Sequence, residues 1–246
     1  MQPIELAEKI HRRLIAISAL HKTRTGVREE DLAGYFNVSR TPVREALRIL
    51  DEKGLVERIK KAGTFLRIPS LKEIADIYDV RSVLDGLAAK LFCENATPEM
   101  IARLKNISKR HDAAMQRGKY DLADATDIEF HLAIASMCGN RIIARLINDS
   151  HLLADTFVLA NRIVPFPHAI PKNTAYPHQR ILLCFMARNP AQAEQIARCH
   201  VERAKDRIIR NFLRRDAQTL DAPSNKTGLR KGRHHEHAVG TQRATD

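Results

Sequence analysis

The sequence predicts a mainly α-helical protein of two domains, with strands confined to one short hairpin. Apolar residues recur at helical spacing along most of the 246 residues. Strand-like alternation occurs only between residues 55 and 68. A Pro69-Ser70 dipeptide then separates the first region from a second one with longer helices. We therefore expect one domain over residues 1–69, a helical bundle over 70–215 and a disordered basic tail over 216–246.

Composition narrows the range of partners and compartments. The formal net charge of +12 suits a polyanionic partner. A membrane surface would also attract this charge, but no apolar run approaches the roughly 18 residues of a membrane-spanning helix. The cysteines form no Cys-x-x-Cys pair, and we interpret all four as small buried residues of a reducing cytoplasm. They are Cys93, Cys138, Cys184 and Cys199.

The first two helices are predicted to support a third. Helix one extends from Pro3 to about Leu20, and its apolar positions recur at helical spacing. Those positions are Ile4, Leu6, Ile10, Leu14 and Ile17. A short second helix with an acidic first turn extends from Glu29 to Phe36, and a turn at Asn37-Val38 follows it.

The third helix has one apolar side and one arginine side. Ser39 or Thr41 can cap its first amides. Arg40, Arg44 and Arg48 follow at intervals of four residues and therefore project from the same side. The apolar side consists of Val43, Ala46, Leu47 and Leu50. Arginines at the N-terminal end of a packed helix are typical of a recognition helix in the major groove, where they contact guanine or phosphate. A merely solvated arginine face is the alternative interpretation.

A basic hairpin follows this helix and favours the first interpretation. Gly54 is expected to end the helix. Residues 55–59 and 64–68 alternate as strands around a turn that contains Lys60, Lys61 and Gly63. The order of helix, turn, arginine helix and basic hairpin is that of a winged helix-turn-helix.

The motif resembles the DNA-binding domain of the GntR family of bacterial transcription regulators. The resemblance rests on residues 39–47, on Lys53-Gly54-Leu55-Val56 and on Gly63. It implies operator contacts from the recognition helix and from a wing tip near the minor groove. The residues concerned are Ser39, Arg40, Thr41, Arg44, Arg48, Lys60, Lys61 and Gly63. One departure is the segment 21–27, which lacks the Pro-Gly turn that family members often carry before the second helix.

The second domain is predicted to be an all-helical bundle. Turn and capping signals separate six helices and one proline-rich loop over residues 164–177. The predicted helices are 71–94, 98–116, 122–138, 141–162, 178–188 and 190–214. The apolar side of the first of them is predicted to consist of Ile74, Ile77, Val80, Leu84, Leu87 and Leu91.

Three histidines and one aspartate of this bundle are predicted to converge. Asp127 and His131 are four residues apart on one helix and point to the same side. His178 and His200 each lie about eleven residues from the Asn189-Pro190 turn. An antiparallel helical hairpin would therefore place them opposite each other, at the same height along the two helices. Imidazoles with a carboxylate suit a divalent transition metal, and a buried Asp127 would be costly without a cation. Histidines satisfied within the core are the alternative.

These residues also resemble the FCD ligand-sensing domain of the FadR-like branch of GntR regulators. The resemblance rests on residues 127–131, on Gly139-Asn140, and on His178 and His200. It implies that Asp127, His131, His178 and His200 bind zinc, nickel or manganese, and that a small carboxylate effector completes the coordination sphere. Arg81 matches an arginine often near the effector, although a surface or salt-bridging role with Asp85 is equally open.

The tail contains a further histidine cluster, His234-His235-Glu236-His237. It either binds metal or is a solvated tract, and the second interpretation is preferred. Nearby lysines and arginines could add non-specific DNA affinity.

Together these features predict a cytoplasmic transcription regulator. It would be a repressor that binds double-stranded operator DNA as a homodimer, because helix-turn-helix dimers match two-fold sites. An acid at the metal would shift the population of DNA-binding states. One alternative is a metal-dependent hydrolase-like enzyme, but Glu129 points away and no general base is evident. The other is a non-specific structural DNA-binding protein.

Overall fold

The computed structural model describes residues 2–20, 26–161, 163 and 177–220. Within these ranges the chain forms nine helices and one two-stranded hairpin, so the predicted fold class is confirmed. The elements are α1 (Pro3–Leu20), α2 (Glu29–Phe36), α3 (Arg40–Glu52), β1 (Val56–Ile59), β2 (Gly63–Leu66), α4 (Leu71–Asn95), α5 (Pro98–Gln116), α6 (Tyr120–Met137), α7 (Arg141–Ala160), α8 (Pro177–Met186) and α9 (Pro190–Leu220). None of the described helices has both the length and the apolar character needed to cross a bilayer.

The N-terminal domain packs α1, α2 and α3 around one apolar core. The predicted apolar side of α3 is buried throughout, at Val43, Ala46, Leu47 and Leu50. Helix α1 contributes Leu6, Ile10 and Leu14 to this core, but Ile4 is 66% exposed, so its predicted burial was wrong. Ile4 lies two residues before Leu6, which places it on nearly the opposite side of the helix.

The start of α3 differs from the prediction in its cap. Ser39 occupies the N-cap position, but its side chain accepts no hydrogen bond from the first turn. Thr41 lies inside the helix and therefore cannot cap it. At the other end, Gly54 follows the C-cap Lys53 with a left-handed φ of 66°, as predicted. The side-chain cap predicted for α3 is thus absent, whereas its glycine stop is present.

The hairpin is shorter than predicted because only four residues of each strand pair. Val56 lies opposite Leu66, and Ile59 lies opposite Gly63. The segment before α2 joins the same hairpin, since Val27 and Thr64 exchange two backbone hydrogen bonds of 2.9 Å. A Cβ on Gly63 would stand 2.7 Å from the Val27 carbonyl oxygen, and its φ is 109°. Only glycine therefore fits where the chain entering α2 crosses the wing.

The second domain is a bundle of α4 to α9, entered through the predicted linker. Ser70 caps α4 with a capping box, in which its hydroxyl accepts from the Glu73 amide at 3.2 Å. Asn140 caps α7, also as predicted. Helix α9 continues to Leu220, so disorder predicted from residue 216 was wrong for residues 216–220. The proline-rich loop 164–176 and the tail 221–246, with its histidine cluster, lie outside the described residues.

Two burial predictions for the bundle were wrong. Val80 is 56% exposed, whereas Arg81 and Asp85 on the same helix are each 4% exposed. The inward side of α4 is therefore partly polar, because it faces the polar cluster described below. Cys199 is exposed, although Cys93, Cys138 and Cys184 are buried as predicted.

Helix α7 lies between the two domains. On one side Leu152, Leu153 and Ala160 pack against the N-terminal core. On the same side the Thr156 hydroxyl contacts the buried His11 ring, with Oγ1 2.9 Å from Nε2. An ion pair between Lys53 and Asp149 also joins α3 to α7. This helix therefore connects the N-terminal domain to the bundle directly.

Candidate metal centre and DNA-binding face

Four polar side chains meet in the centre of the bundle, as the spacing predicted. Helix α6 supplies Asp127 and His131, α8 supplies His178, and α9 supplies His200. One ligand atom from each lies within 4.8 Å of the others. All three imidazoles are buried, and Asp127 is largely buried. These four residues are called the aspartate–histidine cluster below.

Local sequence explains how the α8–α9 hairpin brings its two histidines together. Asn189 lies between the helices, and its Oδ1 accepts from the Gln192 amide at 3.1 Å, so it caps α9. Arg188 takes a left-handed φ of 52°, which reverses the chain. The imidazole centroids of His178 and His200 consequently lie 5.2 Å apart.

Several polar atoms of the aspartate–histidine cluster lack hydrogen bonds. Asp127 Oδ1 lies 3.1 Å from His178 Nε2 and 3.6 Å from His200 Nε2. The angles of the shorter contact are not those of a hydrogen bond. Asp127 Oδ1 and both His178 ring nitrogens are therefore buried without a hydrogen-bond partner among the described residues. Each such buried atom costs about 1–3 kcal/mol. A coordinated cation would give these lone pairs a partner, so the residues fit a metal site.

The protonation states also suit metal coordination. Burial lowers the pKa of His178 to about 3 and also lowers the pKa of His200, so both imidazoles are neutral. Burial opposes ionisation of Asp127, but its contacts with His178 and His200 hold its pKa well below the usual range. Two imidazoles of the cluster, those of His178 and His200, are therefore neutral and lie beside a carboxylate, which suits a divalent cation.

A second carboxylate lies behind His131. His131 Nδ1 donates to Asp85 Oδ1 at 3.0 Å, so Nε2 is the ring nitrogen that this hydrogen bond leaves for the cluster. Burial opposes protonation of His131, but this hydrogen bond and the Asp85 charge raise its pKa. Carboxylate–histidine pairs of this kind orient the imidazole and increase its basicity toward metals. The sequence had indicated Asp85 only as a partner of Arg81.

Arg81 is a buried residue, so the surface role considered for it was wrong. Its Nη2 lies 2.8 Å from His151 Nε2, and its Nε lies 3.8 Å from Asp85 Oδ2. Burial and the neighbouring Arg81 charge hold the pKa of His151 well below its usual value, so the neutral ring accepts from the guanidinium. Arg81 Nε makes no hydrogen bond within the described ranges. The contact with Asp85 is therefore present, and Arg81 also lines the small cavity described next.

A small cavity of about 30 Å³ adjoins the aspartate–histidine cluster. Its walls include Asp127, His131, His200 and Arg81. The polar wall residues that sequence reasoning missed are Tyr78, Asp124, His151, Asp155 and Arg207. Some of these left a detectable signal, since Asp124 lies three residues before Asp127, and His151 and Asp155 are four apart, so each pair shares a helix side.

The DNA-binding face predicted for the first domain is exposed. Arg40, Arg44 and Arg48 project from α3, and Lys60 and Lys61 occupy the exposed turn of the wing. The arginines form surface ion pairs with acids, including Arg44 with Glu29 at 3.2 Å. Exposed pairs contribute little free energy, so phosphate groups can replace these partners. Ser39 and Thr41 are also exposed beside the arginines.

Family comparison identifies the class of protein. Residues 6–66 match the family described as bacterial regulatory proteins, gntR family, and residues 76–203 match the FCD domain. The chain belongs to the GntR family of transcription regulators and carries an FCD domain.

Individual relatives agree with this assignment. The chain is 29% identical over 204 residues to the HTH-type transcriptional regulator LutR of Bacillus subtilis, covering 76% of this chain and 92% of that protein. It is 29% identical over 147 residues to the gluconate operon transcriptional repressor of Bacillus licheniformis, covering 60% of each. A solved structure of a GntR transcriptional regulator from Rhodococcus sp. RHA1 shares the fold, with a TM-score of 0.64, 24% identity, and coverage of 84% and 97%. These relatives are transcription regulators, so the hydrolase-like alternative is set aside.

Proposed function

We propose that this regulator is a cytoplasmic repressor whose operator affinity is controlled by a small organic acid bound at a divalent transition metal. The metal would be zinc, nickel or manganese, held by the aspartate–histidine cluster. The observation that carries the proposal is the set of unsatisfied buried atoms in that cluster, next to a cavity lined by Arg81. The metal, when bound, supplies positive charge and open coordination positions for carboxylate oxygens.

Arg81 provides a second anchor for the acid. Its guanidinium is held by His151 and Asp85, while its Nε makes no hydrogen bond among the described residues. A carboxylate in the cavity would give this donor a charged acceptor, and hydrogen bonds to charged groups contribute about 1.5–3 kcal/mol. A metal ion held by the aspartate–histidine cluster on one wall, together with the buried Arg81 on another, would favour an anion over a neutral ligand.

The DNA-bound form is proposed to be a homodimer on a two-fold operator. Each α3 would enter a major groove with Arg40, Arg44 and Arg48 near base edges, while Lys60, Lys61 and Gly63 of the wing approach the adjacent backbone. One relative, the gluconate operon protein, is named a transcriptional repressor, which favours repression for this chain.

Helix α7 is proposed to transmit the signal. His151, Asp155 and Val158 line the cavity, whereas Thr156 on the other side contacts α1. A cavity of about 30 Å³ accommodates an ion or a water molecule but not an organic acid. Binding must therefore separate the cavity walls, and any shift of α7 displaces the DNA-binding domain packed on it. The acid thereby favours a conformation with a different spacing of the two recognition helices.

An operator-binding titration tests this function. Operator sequences are first selected from random DNA with the zinc-loaded protein, and fluorescence anisotropy then gives the affinity with and without a panel of small acids. We expect at least one acid to weaken operator binding about five- to 150-fold. Metal-free protein should bind the same DNA without responding to acid. An acid response that survives metal removal would contradict the proposal, and failure to select any sequence would favour the structural DNA-binding alternative.

The transmission step gives a separate prediction for Thr156→Val. This change preserves side-chain shape but removes the acceptor facing the buried His11 Nε2. We expect metal content and acid affinity to be retained, and the ratio of operator affinities without and with acid to fall severalfold. The unfolding free energy should decrease by about 1–3 kcal/mol.

A hydroxyl on the same helix provides the matched control. Ser150 donates within α7 to the Ile147 carbonyl at 2.8 Å. Ser150→Ala should therefore leave the acid response of operator binding unchanged. An unchanged response in Thr156→Val as well would exclude this contact from the transmission path.

A further inference from the structure

Two carboxyl groups of the cavity wall do not belong to the aspartate–histidine cluster. Asp124 projects from α6 and Asp155 from α7, and both line the cavity together with Arg81 and Asp127. Neither Asp124 nor Asp155 takes part in any hydrogen bond or ion pair recorded within the described parts of the chain. Both carboxyls therefore offer acceptor oxygens to the cavity, beside the guanidinium of Arg207, whose charge lowers the pKa of Asp124 against the larger effect of burial.

Their surroundings make these carboxyls unusual. Burial raises the pKa of Asp124 to about 7, and the neighbouring charges of Asp155 and Asp127 add to this effect. Burial likewise raises the pKa of Asp155 to about 7, although the Arg81 charge opposes it. Two partly buried carboxyls that repel each other would be stabilised by any ligand that brings donors or positive charge.

Arg81 gives the cavity its opposite polarity. This side chain is more than nine-tenths buried and lines the same cavity, and its Nε finds no acceptor in the described structure. The cavity therefore has a cationic part at Arg81, which a metal held by the aspartate–histidine cluster would extend, and an acceptor part at Asp124 and Asp155. A second metal is the other occupant to consider. Among the described residues, however, only Asp127 and the three histidines form a group of potential ligands close enough for one ion.

We infer that the effector is an acid that also carries a hydroxyl or ammonium group. This group would donate hydrogen bonds to the carboxyl oxygens of Asp124 and Asp155. This inference rests on the proposed function, in which the cavity receives a carboxylate. A plain aliphatic acid would displace water from both carboxyls and leave them without donors. Sites built to accept such donors discriminate strongly against analogues that lack them.

Matched acids test the inference by calorimetric titration of the zinc-loaded full chain. The probes are propionate, butyrate, valerate and hexanoate, each compared with its ω-hydroxy and ω-amino counterparts. In the longer acids, the hydroxyl or ammonium group at the ω position is far from the carboxylate. It therefore cannot chelate the metal together with that carboxylate. At the chain length that spans the cavity, we expect a donor-bearing acid to bind about tenfold more tightly than the plain acid. The ω-amino and ω-hydroxy series distinguish ammonium from hydroxyl.

Variants locate the preference. Asp124→Leu with Asp155→Leu should abolish the tenfold preference, while the metal is retained and the plain acid still binds. The Asp→Asn pair, which retains shape, should abolish the preference for ammonium if the leucine pair fails to fold. Asp121→Asn, an exposed change on the same helix, should have no effect.

The outcomes separate the inference from the function on which it rests. Equal affinity for plain and donor-bearing acids, or a preference that survives in the variants, would overturn the inference and leave the proposed function intact. A second zinc ion per chain that both variants lose would also overturn it. Absence of binding by every acid, together with an operator affinity that no acid alters, would overturn the proposed function itself.

Discussion

Replacing His178 by alanine is expected to lower the affinity of the chain for a divalent transition metal by about a hundredfold or more. Loss of residues that merely support a metal ligand already costs about 10- to 100-fold, and loss of a ligand costs at least as much. Asp127→Ala should have the same effect, because the Asp127 carboxylate would neutralise part of the charge of a bound ion. Elemental mass spectrometry of untagged protein, exposed to zinc, nickel and manganese in turn, measures the content. We expect about one ion per chain in the wild type and almost none in either variant.

Two further variants make this test specific. His151→Ala removes another buried imidazole of the same cavity, but His151 contacts Arg81 and is not part of the aspartate–histidine cluster. It should retain the metal. Asp85→Asn should show an intermediate loss of about 10- to 100-fold, because it weakens the support of His131 without removing a ligand. Wild-type protein that takes up none of the three metals would refute the metal site, while the DNA-binding assignment would stand.

Replacing Arg44 by alanine is expected to weaken operator binding by about 1–3 kcal/mol, or roughly tenfold to a hundredfold. Arg44 is exposed on α3, and it pairs with Glu29 in the absence of DNA. A loss restricted to operator sequence would indicate a base contact, whereas a uniform loss with a salt slope reduced by about one would indicate a phosphate contact. Anisotropy titrations on operator and scrambled duplexes at several salt concentrations distinguish these cases.

Replacing a surface arginine outside the DNA-binding domain provides a control for the loss of one positive charge. Arg103 is exposed on α5 of the bundle, so Arg103→Ala removes one positive charge without changing α3 or the wing. It should weaken operator binding only slightly. If Arg44→Ala and Arg103→Ala behaved alike, α3 would not be the recognition helix.

The predictable part of the site is the part encoded by short-range spacing. Asp127 and His131 lie on the same side of their helix however that helix is oriented. The turn at Asn189 places His178 and His200 at the same height along the antiparallel α8–α9 hairpin. The side of α3 that faces the core was equally predictable from the sequence, because an apolar stripe and an arginine stripe cannot both be buried.

The remaining site depends on how the helices cross, which no local pattern encodes. Arg81 and Asp85 are four residues apart, a spacing that also describes an exposed ion pair on a helix surface. Only the packing of α4 against α6, α7 and α9 brings Asp85 to His131 and Arg81 to His151. The same packing exposes Val80, which the apolar pattern of α4 had placed inward.

The pairing of Val27 with Thr64 makes the N-terminal domain rigid around its DNA-binding surface. Two backbone hydrogen bonds tie the wing to the segment entering α2, and Glu29 contacts both Arg44 of α3 and Arg58 of the wing. The DNA-binding surface of this domain is therefore one rigid unit. In the proposed homodimer, an effector that moved this unit as a whole would change the spacing at which two half-sites are bound, and not the bases preferred within each. Half-site preference and the proposed response to an effector would accordingly evolve independently.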